Sequence, residues 1–92
     1  MTNIVDTKLE ATKIGFWVRT ATSEEFLEWD MMREIVGYRQ NPGGEDLLCL
    51  AFRISALNEF TEIHEEMSGY SEVIAAMYEA FQKINRTWWQ EV

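Results

Sequence analysis

Asn41-Pro-Gly-Gly44 is the feature that most constrains what this chain can fold into. A proline followed by two glycines ends any regular element and demands a turn. Residues on either side are strand-prone. Ile35, Val36 and Tyr38 precede it, and Leu48, Leu50, Phe52 and Ile54 alternate with Leu47, Cys49 and Ala51 after it. The pattern predicts a β-hairpin of residues 35–40 and 46–55. A single helix over 23–40 is the competing reading. Gly37 and the β-branched pair Ile35-Val36 weigh against it, because both disfavour helix.

Strands and helices alternate around that hairpin. Lys13 to Arg19 reads as a strand with Ile14, Phe16 and Val18 on one face and Gly15, Trp17 and Arg19 on the other. Ile4, Val5 and Leu9 suggest a short edge strand before it. Thr22-Ser-Glu-Glu25 has the form of a capping box and predicts a helix over 22–33. Its apolar residues do not form one stripe, since Leu27 and Met31 lie on one side and Trp29 and Met32 on another. Leu57, Phe60, His64 and Met67 stand at helical spacing and predict a short helix over 56–67. Ser71 is the expected cap of a final helix, whose stripe is Val73, Met77, Phe81, Ile84 and Trp88. Glu79 and Lys83 would pair across one turn of it. The expected architecture is α+β, in the order β-α-β-β-α-α. A small antiparallel or mixed sheet of three or four strands would carry the helices on one face, with a right-handed parallel crossover in the β-α-β part.

Ninety-two residues suit a single domain spanning 1–92. Twelve aromatic residues, 13% of the chain, supply enough apolar area for a core and exclude a natively disordered class. The net charge is −8, and the eight basic residues are scattered without two adjacent. Direct nucleic-acid binding needs cations that displace counterions, and an anionic membrane surface needs them too; neither is expected. The excess acid lies in two segments. Residues 22–34 hold Glu24, Glu25, Glu28, Asp30 and Glu34 against Arg33. Residues 45–72 hold Glu45, Asp46, Glu59, Glu62, Glu65, Glu66 and Glu72 against Arg53. The N-terminal residues have neither a basic region nor a long apolar run, which argues for a cytoplasmic protein, in a host cytoplasm if phage-encoded. A lone cysteine, Cys49, suits that compartment.

No catalytic, cofactor or metal site is expected. Cys49 sits in an apolar strand, where a thiol is a small core residue rather than a nucleophile. Around His64 the helical di-iron spacing fails, because Thr61 stands three residues before it, and His-Glu-x-x-His fails at Ser68. Gly43-Gly44 lacks the lysine and hydroxyl residue of a phosphate loop.

The remaining signal is surface. Glu59, Glu62 and Glu66 would share one face of the 56–67 helix, with Glu45 and Asp46 adding charge from the turn. Such a row can imitate a nucleic-acid backbone and attract a basic protein groove. Trp89 and Trp17 fall outside the predicted apolar stripes and are the expected anchors of an interface. In size, acidity and lack of catalytic residues the chain is similar to phage anti-CRISPR and anti-restriction proteins as classes. The expectation is a small, non-enzymatic inhibitor of a basic nucleic-acid-handling protein, a nuclease or other effector. A toxin-neutralising immunity protein or antitoxin would use the same physics. A homodimeric α+β domain that binds a small ligand or acts as an enzyme is the third reading.

Overall fold

A computed structural model describes residues 7–44, 46–54 and 59–92. Strands β1 (Lys8–Ala11), β2 (Gly15–Arg19) and β3 (Glu24–Glu28) form one antiparallel sheet, and β4 (Met32–Gln40), β5 (Leu47–Ile54) and β6 (Phe60–His64) form a second. Helix α1 (Tyr70–Ala80) follows, and the chain ends in a short 3-10 helix, Trp88–Gln90. This is a small α+β-like fold of two antiparallel meanders. No helix among the described residues is long and apolar enough to cross a membrane.

The predicted hairpin forms, with its first strand starting earlier at Met32, and the strand predicted over 13–19 forms over Gly15–Arg19. Gly43 and Gly44 take positive φ of 64° and 88° in the turn between β4 and β5, a backbone region that side chains with a Cβ avoid. Ile14 is in the preceding turn and 64% exposed, so only Phe16 and Val18 of the expected face turn inward. The edge strand before it is β1; Ile4 and Val5 lie outside the described residues, and Leu9 is buried.

The helix expected over 22–33 is instead β3 followed by a 3-10 helix, Trp29–Met31. Thr20, not Thr22, supplies the useful hydroxyl. Its Oγ1 accepts the amides of Ser23 (3.1 Å) and Thr22 (3.3 Å) and closes the β2–β3 turn. Adjacent Phe26 and Leu27 then pair with Trp17 and Phe16 on opposite faces. A strand separates neighbours in this way, which explains why the apolar residues refuse a single helical stripe. With a strand at that position there is no parallel crossover, and the predicted β-α-β-β-α-α order gives way to six strands and then the helix.

The 56–67 helix is likewise replaced, by β6; Leu57 lies outside the described residues. Phe60 and His64 misled because a spacing of four is even. It keeps two residues on one face of a strand as well as of a helix. The last helix is real but shorter than its stripe. It begins after Gly69, at φ 87°, rather than at Ser71, whose Oγ hydrogen-bonds Glu72. It ends at Ala80, so Lys83 lies beyond it and the Glu79–Lys83 helical pair does not form.

The core lies between the two sheets and α1. Phe16, Leu27, Leu50, Phe52, Ile63, Val73 and Met77 are its fully buried side chains, with Leu9 and Trp29 nearly so. Each such side chain contributes about 1.5–3 kcal/mol by leaving water. Phe16 meets Phe52 edge-on at 5.1 Å, joining the first sheet to the second. Phe81, just past α1, meets the Trp29 ring at 5.9 Å. The amide of Leu9 donates to the Ser68 carbonyl (2.7 Å) and ties β1 to the start of the helix.

Candidate functional site: an acidic margin and an aromatic face

β3 and β6 are edge strands of their sheets, and they approach each other where Thr61 Oγ1 donates to Glu25 Oε1 at 3.2 Å. β3 carries Glu25, which makes that contact, and Glu28 on the opposite face of the sheet, while β6 and its flanks carry Glu59, Glu62, Glu65 and Glu66. All six are exposed, and none has a salt bridge among the described residues. Glu62 accepts the Tyr38 hydroxyl, and Glu65 accepts the Leu48 amide at 3.1 Å. The shared helical face expected for Glu59, Glu62 and Glu66 does not exist. Glu59 precedes β6, Glu62 is within it and Glu66 is in the following turn.

Three of the arginines are engaged in intramolecular ion pairs at the surface. Arg19 pairs with Glu10 and reaches Glu24 at 3.7 Å; Arg53 pairs with Glu34 at 3.2 Å. Arg39 bonds Asp46 (3.5 Å) and donates to the carbonyls of Trp89 and Val92 (2.9 Å each). The expected site residues are therefore split. Asp46 and Trp89 meet through Arg39 on β4, whereas Glu62 and Glu65 are held by Tyr38 and the Leu48 amide. Trp89 is 42% exposed, as its position predicts. Glu45 lies outside the described residues.

Trp17 is on the outer face of the first sheet, not beside Cys49 and Ala51, which belong to the second. There Glu10, Trp17 and Phe26 form one row across β1, β2 and β3. The two rings pack at 4.9 Å, and the Arg19 guanidinium lies 4.7 Å from the centre of the Trp17 ring. Phe26 and its flanking Glu24 and Glu28 escaped sequence reasoning because the segment read as a helix. The period-two run Glu24, Phe26, Glu28 was the signal that could have found them.

Tyr38, Cys49 and His64 are cross-strand neighbours on the outer face of the second sheet. Burial pushes the Cys49 thiol above its ordinary pKa, so it stays protonated and weakly nucleophilic. His64 Nδ1 accepts the Glu66 amide at 3.2 Å, and its Nε2 is buried without a hydrogen-bond partner among the described residues. No group of three or more His, Cys, Asp or Glu among the described residues is arranged to hold a metal ion.

A cleft of about 860 Å³ runs between β4 and the C-terminal segment, over Ile35, Gly37, Leu50, Met77, Phe81 and Trp88. Its rim is mixed in charge, with Arg33 and Lys83 beside Glu34, Glu79 and Glu91. Comparison with protein-family models, curated proteins and solved structures finds no match to this chain.

Proposed function

We propose that this protein is a non-enzymatic inhibitor that docks its acidic margin on a basic, nucleic-acid-handling protein partner in the cytoplasm, in the manner of anti-CRISPR or anti-restriction proteins. One observation carries the reading. The arginines at 19, 39 and 53 are held in intramolecular ion pairs, while Glu25 and Glu28 on β3 and Glu59, Glu62, Glu65 and Glu66 on β6 and its flanks have no paired cation among the described residues. A net charge of −8 concentrated in this way attracts a basic groove and repels nucleic acid and anionic membranes. Carboxylates at the surface set the approach rate and selectivity, and partly exposed aromatic side chains hold the complex once water has left.

The test is inhibition of nucleic-acid cleavage by purified CRISPR nucleases, restriction enzymes and toxin nucleases, at low and moderate salt. Wild type should inhibit one of them, with association weakening as salt rises. Reversing Glu59, Glu62 and Glu66 to lysine changes the local charge by six. It should slow association about tenfold or more, while circular dichroism reports an intact fold. Glu62 also holds Tyr38, so Glu25→Lys with Glu28→Lys provides a second reversal outside that bond. Inhibition that is insensitive to both reversals would reduce the margin to solvated surface.

A further inference from the structure

We propose that the outer face of the first sheet is a socket for an arginine side chain of the basic partner, seated on Phe26 between Glu24 and Glu28. The inference rests on the docking reading above and names the contact that gives it specificity.

Trp17 and Phe26 are both only partly buried, and neither belongs to the hydrophobic core cluster of the described residues. Large rings on an open sheet face are unfavourable in water, and their faces carry negative potential that attracts cations. The fold already demonstrates the pairing. Arg19 lies over Trp17 at 4.7 Å, bracketed by Glu10 and Glu24. Phe26, beside it at 4.9 Å, has no cation over its ring among the described residues.

Register supplies the rest of the socket. Glu24, Phe26 and Glu28 are successive outward residues of β3, so the Cα of each glutamate lies about 7 Å from that of Phe26 along the strand. A guanidinium centred on the Phe26 ring can turn its donors toward both. Glu28 has no salt bridge among the described residues, and Glu24 is only loosely engaged, at 3.7 Å from Arg19 Nε. Arginine fits better than lysine because its plane stacks and its five donors fan outward, whereas an ammonium is a compact, strongly hydrated point charge. Flanking carboxylates disfavour the other ligand an aromatic platform could take, a single-stranded nucleic acid, whose phosphates they repel.

The probe is a synthetic arginine-glycine repeat peptide, titrated calorimetrically into the full chain. Matched peptides carry lysine or citrulline in place of arginine, and an oligothymidine serves as the nucleic-acid control. Amide chemical-shift mapping locates the contact. The arginine peptide should bind and shift residues 17–28; lysine should bind more weakly, and citrulline and oligothymidine not at all. Phe26→Leu keeps the apolar bulk but removes the ring face, and should weaken binding about five- to tenfold. Glu28→Gln should weaken it to a similar degree. Absence of arginine-peptide binding, equal binding by Phe26→Leu, or binding of oligothymidine would each overturn the socket. If affinity falls only on reversing Glu59, Glu62 and Glu66, the socket is wrong while the acidic margin stands. If the peptide binds at Phe26 but no nuclease is inhibited, the socket stands and the inhibitor reading fails.

Discussion

Two side chains show how narrowly single residues are specified. A Cβ at Gly37 would lie 2.5 Å from Cε3 of Trp88, so the indole rests directly on the strand backbone. Gly37→Ala must push that ring away. It should cost about 1–3 kcal/mol by overpacking, read as a lower denaturation midpoint at unchanged slope. Trp88 also donates from Nε1 to the Tyr78 hydroxyl at 3.0 Å, so its emission spectrum should shift in the same variant. Tyr70 is the opposite case. Its hydroxyl is buried with no hydrogen-bond partner among the described residues, and Tyr70→Phe should raise stability by about 1 kcal/mol. Burial, with a smaller contribution from Glu65, holds the Tyr70 phenol well above its ordinary pKa. Tyr38 is raised as well, by burial and then by its hydrogen bond to Glu62. In both, the folded state keeps a proton that the unfolded chain releases near pH 10. Their contribution is fully present below about pH 10 and is lost as pH rises above it. Stability measured from pH 8 to 11 should therefore fall at the alkaline end, less steeply in Tyr70→Phe.

Among the elements, α1 depends on the residue that precedes it. Gly69 enters at φ 87°, and a Cβ there would run into the Leu9 carbonyl of β1. Gly69→Ala is thus strained twice, by backbone conformation and by contact. It should destabilise the protein by about 2 kcal/mol or more and loosen β1 together with the helix. Hydrogen exchange at the Leu9 amide, which donates to Ser68, reports that coupling. The helix's far end is set by packing. Phe81 turns out of the helical path against Trp29, and Asn85 Oδ1 then captures the Thr87 amide at 3.1 Å, starting a new turn. The stripe Val73, Met77, Phe81, Ile84 and Trp88 does face the core, but only Val73 and Met77 reach it from α1.

Across the whole molecule, stability rests on few side chains because the chain is short. Phe52 is central in β5, fully buried, and touches Phe16 of the other sheet. Phe52→Ala should cost about 3–5 kcal/mol, a large share of the total for a chain of this size. If the two meanders form one cooperative unit, fluorescence and far-ultraviolet dichroism will lose structure in a single coincident transition. Separate transitions would show that each sheet folds on its own. Net charge acts on the same scale. Self-repulsion at −8 should ease with added salt, so thermal stability should rise while association with a basic partner weakens.

Sequence alone determined the elements whose signals are chemical and local. Pro42 and the two glycines specify the β4–β5 turn. Alternation in 47–54 specifies a strand, and Val73 to Ala80 reads as helix from its own spacing. The surplus of acid over base is equally legible, and with it the class of surface the protein presents. Only the tertiary structure decided 22–28 and 60–64. Glutamate, a good helix former, stands in both and leucine in the first, and both carry spacings of four that suit either period. Propensity differs by a few tenths of a kcal/mol per residue, whereas burying Leu27 and Ile63 between two sheets is worth several times that. Cross-strand partners far along the chain, Phe16 for Leu27 and Leu50 for Ile63, tipped the balance. The same partners moved the carboxylates from a helix face to two strand edges and placed Phe26 beside Trp17, a neighbour no local pattern could name.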